Sequence, residues 1–403
     1  MEHYLLDWAS LLLRWAHVIT AMAWIGASFY FVMLDNSLVP PEHADLKAKA
    51  VDGEMWAVHG GGFYHSNKYR VAPRWLPLPE KLHWSYWESY STWLTGFGLF
   101  TCLYLFNAST FLIDKSVFQW TPAVAVGAAL GLMAGFWVLY DALCRTWGPR
   151  RNGSWWVGVG VVVLIGVAAW LACHWFAGRA AFLLVGAMLA TAMSANVFFW
   201  IIPGQRKVVA ALRAGEQPDP LHGQRGKLRS LHNTYFTLPV LIAMLSNHYG
   251  WLYQGPHNWL VLLLLMWAGA LIRHSFAARH KAQALGERTP WMPAVIGCGV
   301  LLGLVVWLAP APQPPAARAA ASEPVSFQAV RAVVAQRCAL CHNAQTPNKG
   351  IALHTDALIA AHAQAIYQQV AVLRQMPFNN ATQMSEGERL LIQHWFEAGA
   401  PTR

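Results

Sequence analysis

The chain has 403 residues, of which 56% are hydrophobic and 12% charged, with a formal net charge of +10. A soluble domain carries about twice that share of charge, so the whole chain is not a soluble globular protein, and 22 tryptophans suit one with many membrane interfaces. The positive balance would admit a nucleic-acid binder, but the basic residues gather in particular loops, and that distribution accounts for them.

Eight runs are long enough to cross a bilayer, which takes about 20 apolar residues as helix. They fall at roughly 8–34, 86–107, 120–143, 155–176, 179–202, 230–249, 257–277 and 291–309. The first contains Arg14 and is too long for the apolar region of a cleaved signal peptide, so it predicts a retained span. The sixth has polar residues at both ends, and Pro239 inside it predicts a kink. Cys102, Cys144, Cys173 and Cys298 lie in apolar segments and are expected as buried core thiols.

Lysine and arginine set the orientation. Loop 35–85 carries Lys47, Lys49, Lys68, Arg70, Arg74 and Lys81, and loop 144–154 carries Arg145, Arg150 and Arg151. Loop 203–229 carries Arg206, Lys207, Arg213, Arg225, Lys227 and Arg229, and segment 273–290 carries Arg273, Arg279, Lys281 and Arg288. The loops between them hold only Lys115 and Arg179. Basic loops are retained in the cytoplasm, so both termini are expected outside, and no nucleic-acid partner is expected.

Residues 309–324, "APAPQPPAARAAASEP", read as a semi-rigid tether. Residues 325–403 are soluble in character, with helical patterning and a capping box formed by Ser385 and Glu388. The expected architecture is therefore all-α: a polytopic membrane domain at 1–308, the linker, and a small α-helical domain at 325–403.

That last domain holds Cys338-Ala339-Leu340-Cys341-His342, the attachment pattern of c-type haem. Two thiols on one helical turn can each add to a vinyl group, and the adjacent imidazole becomes the proximal iron ligand. Met376, followed by Pro377, lies 34 residues after His342 and is the expected sixth ligand, with Met384 as the competitor. A thioether there gives a His/Met site and raises the potential. The zinc alternative fails on spacing: His354 to His362 leaves seven residues, where a finger needs three to five. A dithiol oxidoreductase would sit in a βαβ context, which is absent. Haem c is attached outside the bacterial cytoplasmic membrane, in agreement with the charge-derived topology. The module is expected as a class I-like cytochrome c.

In the membrane part, "HGGGFY" (59–64), "KLHWSYWESYSTWLTGF" (81–97) and "LHNTYFTLPVLIAMLSNHY" (231–249) resemble the bacterial membrane-bound urate oxidase, or urate hydroxylase, family. The resemblance covers nearly the whole chain. It implies an eight-span domain fused to a cytochrome c in the bacterial inner membrane, with the N-terminus and the cytochrome on the periplasmic side. It also implies oxidation of urate to 5-hydroxyisourate with water as the oxygen source. Electrons then pass to the haem and on to a soluble cytochrome c or a terminal oxidase, without peroxide. Residues alone give a membrane protein with an electron-transfer haem. A quinol-linked electron-transfer subunit is the alternative, and a transporter or sensor with a redox domain is a third reading.

Urate is a planar anion, so its site wants basic groups, backbone N–H groups and aromatic faces. Gly60-Gly61-Gly62 can approach a ligand closely, and His59, Tyr64, His65, Lys68 and Arg70 lie near it in sequence. His83, Trp84, Trp87 and Glu88 stand at the mouth of the second span. His59, Lys68, His83 and Glu88 are the catalytic candidates, with Glu88 or a histidine as base. The bland reading is a glycine turn among interfacial tryptophans. Ionisable groups inside spans are functional candidates: His17 and His248 toward the outer side, His232 and His274 toward the inner, flanked by Asn233 and Asn247. If urate is oxidised on the cytoplasmic side, electrons must cross about 30 Å, and paired histidines holding haem b would form a relay. Otherwise these histidines bond between helices.

Overall fold

The structure, a computed structural model, describes residues 2–69, 78–309, 325–345 and 347–402. Arg70, Arg74 and the tether from 310 to 324 lie outside the described residues. The apolar runs fold as an alternating helical bundle. It begins with α1 (Glu2–Ser37), the short α2 (Ala44–Ala48) and a hairpin of β1 (Gly53–His59) and β2 (Gly62–Lys68). Helix α3 (Trp87–Phe100) widens into a π-helical turn (Thr101–Leu105) before α4 (Ala108–Phe111). Helices α5 (Pro122–Trp147) and α6 (Gly153–Trp175) follow. Helix α7 (Gly178–Asn196) passes through a π turn (Val197–Ile201) into α8 (Ile202–Arg213). Helices α9 (Pro220–Leu245), α10 (Asn258–Ala284) and α11 (Met292–Trp307) complete the bundle. Proline in the first turn starts α5, α9 and α11, where its missing N–H costs nothing. Helix α9 runs through Pro239 to Leu245.

Five helical stretches among the described residues are long and apolar enough to cross a membrane: Trp8–Ser37, Pro122–Trp147, Gly153–Trp175, Gly178–Arg213 and Asn258–Ala284. The fold is mostly helical and compatible with a membrane protein. The other three expected spans are helical but fall short for separate reasons. Helix α3 has 14 residues before its π turn. Helix α9 has 26, but it opens with the basic stretch from Pro220 to Arg229. Helix α11 has 16, about 24 Å of rise against ~30 Å of hydrocarbon.

The axis of the bundle is α7. Its buried Ala180, Ala181, Gly186, Met188, Leu189 and Ala192 pack against α3, α5, α6 and α9. Small side chains let neighbouring backbones close in, and packing of this kind drives helix association in lipid. At the periphery, Trp15 and Met22 of α1 and Leu302, Val305 and Val306 of α11 are exposed. An apolar surface of that extent marks a contact face. The expected core thiols divide accordingly. Cys144 and Cys173 are buried and Cys102 half-buried, but Cys298 is exposed, because α11 lies at the edge of the bundle.

The hairpin is a departure from the all-α expectation. His59 pairs with Gly62, so the loop is only Gly60-Gly61, with φ of 58° and 80°. A two-residue turn with both φ positive closes a hairpin with the native twist. The glycines therefore serve the turn. From sequence, Gly53 to Lys68 reads as part of loop 35–85, because polar residues interrupt the alternation of its strands.

The C-terminal module comprises α12 (Phe327–Arg337), α13 (Asp356–Ala361), α14 (Ala363–Tyr367) and α15 (Glu386–Glu397). It has its own core, in which Val330, Val334, Ile359, Val370, Ile392 and Trp395 meet, distinct from the bundle core. The capping box is formed: the Ser385 hydroxyl accepts from Glu388 N–H and the Glu388 carboxylate accepts from Ser385 N–H. Burial pushes Glu388 up, but hydrogen bonds from Ser385 and Arg337 outweigh it and leave the carboxyl below its ordinary value.

Candidate functional site

Three side-chain clusters stand out, and the first is buried in the basic-loop half of the bundle. The guanidinium of Arg229 on α9 donates to Asp141 Oδ1 of α5 at 2.6 Å and to Asn196 Oδ1 of α7 at 3.1 Å. Asn196 must point its oxygen at arginine, which has no acceptor, so its amide nitrogen donates onward to Tyr140 Oη at 3.0 Å and Asn233 Oδ1 at 2.9 Å. The Tyr140 hydroxyl then donates to His232 Nδ1 at 2.8 Å. Trp200 Nε1 and Arg145 Nη1 complete the Asp141 carboxylate at 2.7 and 3.3 Å. The result is a directional chain, Arg229 to Asn196 to Tyr140 to His232. All four residues of the chain, and Asp141 beside it, are buried. The π turn after Asn196 lies beside it, and such turns recur at functional sites.

The second cluster lies between α1, α9 and α10. Tyr235 Oη and His274 Nδ1 are 2.6 Å apart. The neighbouring Arg273 is 3% exposed, with its guanidinium 3.7 Å from the Phe29 ring centroid. Its Nε and Nη2 are buried without a hydrogen-bond partner. A charge in a span without an anion is costly.

The third cluster is the Cys338–His342 turn of the C-terminal module. Cys341 N–H and His342 N–H both donate to Cys338 O, at 3.1 and 3.0 Å, so the motif forms one tight turn. His342 Nδ1 donates to Ile351 O at 3.0 Å. That fixes the ring and leaves Nε2 to ligate, as iron-bound histidines require. Both thiols are free, and Cys341 is exposed. Burial pushes the Cys338 thiol up to about 11, the opposite of an activated redox dithiol. Cys338, Ile351, Met376 and Leu391 are only partly buried around the small core. Partly buried apolar side chains of this kind are what the face of a flat prosthetic group would need. Met384 is 4% exposed and packed within the core. Met376 therefore has the freer side chain of the two.

The other expected residues are dispersed. His59 is exposed at the hairpin tip, while Lys68 sits at the far end of β2 and pairs with Asp35. Six register steps separate them, about 20 Å at ~3.3 Å per residue. His83 is exposed before α3, and Glu88 is half-buried in its first turn. Among the described residues no hydrogen bond or ion pair joins any two of these four. Within the hairpin, His65 Nε2 donates to Glu54 at 2.6 Å, which holds that carboxyl below its ordinary value. The four span histidines also stay apart. His17 Nδ1 lies 3.1 Å from Thr92 O, and its ring fills the space where a Cβ on Gly96 would stand. His232 and His274 bond to tyrosines. His248 is exposed in the turn after α9. No ring contact or hydrogen bond pairs two of these histidines among the described residues.

Sequence reasoning missed Tyr140, Asp141, Asn196 and Arg273. Each is a polar or charged residue inside or beside an apolar run, which was the signal available. A family model described as urate oxidase N-terminal matches residues 3–309. No curated protein and no solved structure matches the chain. The matched segment ends where the bundle ends, and the chain belongs to the urate oxidase N-terminal family.

Proposed function

We propose that this protein oxidises urate to 5-hydroxyisourate within its helical bundle and passes the electrons to a haem c held by the C-terminal module. The reaction takes up water and releases two protons and two electrons, which leave one at a time through the haem to a soluble cytochrome c or a terminal oxidase. Bound haem supplies one-electron storage. Cys338 and Cys341 would tether it, and His342 and Met376 would hold its iron. The domain division is 1–308, a tether at 309–324 and a cytochrome c module at 325–403, in a bacterial inner membrane with the module on the periplasmic side and eight spans. The observation that carries this reading is the family match over 3–309, joined in one chain to a Cys-x-x-Cys-His turn whose histidine is already oriented.

For urate itself, the dispersal of His59, Lys68, His83 and Glu88 moves the proposed site inward. Arg273 offers a buried cation with two unused donors, and Tyr235–His274 beside it is a phenol–imidazole pair able to accept a ring proton. The His232–Tyr140 chain is a second proton path on the same helix, α9. A haem b relay is not part of this proposal, since among the described residues no ring contact or hydrogen bond pairs two of the span histidines. The test is a spectrum of the purified protein. Urate added anaerobically should reduce the haem c band, with no peroxide on reoxidation. A band that stays oxidised with urate while quinol reduces it would replace this reading with the quinol-linked subunit.

A further inference from the structure

The C-terminal module is held against the end of the bundle opposite the basic loops, and the segment that holds it is the one carrying Met376. Asn379 Nδ2 donates to Thr110 O at 2.6 Å, and Gln375 Nε2 donates to His248 O at 3.4 Å. Gln254 Nε2 of the bundle donates to Arg374 O. Phe378, two residues from Met376, lies edge-on to Phe111 at 4.6 Å, with the Arg179 guanidinium over it at 5.0 Å. Arg179 is itself fixed by Asn247 Oδ1 at 3.0 Å, which also accepts from Tyr104 Oη at 3.2 Å. The approach is close enough that a Cβ on Gly250 would stand 2.6 Å from Leu373 O. Ring contacts run without a break from the bundle core to this segment: Phe100–Tyr104 at 5.5 Å, Tyr104–Phe111 at 5.9 Å, then Phe378.

We infer that the rim formed by Phe111, Arg179, Asn247 and Gly250 is a docking port that fixes the Met376 side of the module to the bundle, so that electrons enter the module there. This rests on the haem c reading. Each docking bond joins a side-chain amide of one part to a backbone carbonyl of the other, and donors come from both sides. The packed rings shorten the distance that each electron crosses through unfilled space. Each transfer moves one electron from urate's oxidation toward ferric haem, and the soluble cytochrome c or terminal oxidase removes it before the second arrives. None of these bundle contacts involves Leu340, which is 71% exposed beside the Cys-x-x-Cys-His turn and is left for that acceptor.

Gly250→Ala in the full-length holoprotein tests the port, with Phe378→Ala as the second variant. Neither residue is a haem ligand or a proposed urate contact. Haem content and the Met–iron absorption band establish that the module is folded. Hydrogen exchange of segment 373–380 should accelerate by about tenfold or more in Gly250→Ala as the segment lifts off. Urate-driven haem reduction should slow by a similar factor in both variants, while reduction by dithionite is unchanged. Unchanged exchange overturns the port. Faster exchange with undiminished urate-driven reduction overturns its role in electron transfer. If the unmodified protein shows no reduction by urate, the urate reading has failed separately. The port is then judged by exchange, and its electron role by quinol-driven reduction, where no difference between wild type and variants, or no reduction at all, overturns it.

Discussion

Removing the Asp141 carboxylate tests whether the buried chain in the basic-loop half is one electrostatic unit. Asp141 receives Arg229, Trp200 and Arg145 at 2.6, 2.7 and 3.3 Å. In Asp141→Ala the Arg229 guanidinium keeps its charge, keeps Asn196, and loses the Asp141 carboxylate. Breaking a buried ion pair from one side costs about 3–5 kcal/mol, a fifth or more of a typical ~5–15 kcal/mol stability. Asp141→Asn keeps the shape and one acceptor oxygen but turns charged hydrogen bonds into neutral ones, a loss of about 1–2 kcal/mol. Replacing both partners, Asp141→Leu with Arg229→Met, removes the orphaned charge and should recover most of the loss, to within about 1 kcal/mol of the unmodified protein. The assay is denaturant unfolding in detergent, followed by tryptophan fluorescence. If Asp141→Ala costs under about 1 kcal/mol, or the double variant is no more stable than Asp141→Ala, the network is not held by this pair and the reasoning fails.

Three further outcomes are expected. Met376→Ala should abolish the Met–iron band and lower the haem potential with modest loss of stability, whereas Met384→Ala should keep the band and cost about 2–5 kcal/mol, as a core deletion does; the reverse pattern in a redox titration would exchange their roles. Glu388 has a lowered pKa in the folded module, so it contributes stability above its unfolded value near ~4.3 that is lost as pH falls through the folded value. Glu388→Gln should flatten acid unfolding of the C-terminal core followed by circular dichroism, and an unchanged acid limb would refute the assignment. Arg273→Gln should weaken half-saturation by urate in haem-reduction assays by about tenfold or more while leaving quinol or dithionite reduction alone, and an unchanged urate dependence would remove Arg273 from the site.

Much of this architecture is legible in the chain, and the exceptions have physical causes. Apolar runs of sufficient length announce helices because a buried or lipid-facing backbone must satisfy itself locally. The Ser385–Glu388 box and the Cys338–His342 turn are local, so spacing alone discloses them. The hairpin was hidden because its signal is the Gly60-Gly61 turn, which resembles a ligand-binding glycine loop until the strand register is known. The buried chain was hidden for another reason: residues 140, 196 and 229 come from three helices, and neither the apolar runs holding Tyr140 and Asn196 nor the basic stretch ending at Arg229 shows that they meet. Lys68 illustrates the converse. Its charge is answered by Asp35, 33 positions earlier, a pairing that no sequence period reports.

The alanine-rich face of α7 has a consequence for how this sequence can drift. Ala180, Ala181 and Ala192 are completely enclosed, so even one added methylene there must displace a neighbouring helix, at about 1–3 kcal/mol. On α1 and α11 the outward positions accept any apolar side chain, since nothing of fixed shape faces them. Variation among relatives should therefore be graded by radius, nearly frozen at the axis and loose at the rim. A side chain enlarged at the axis would be felt by every helix packed on α7, whereas one enlarged at the rim would be felt by none.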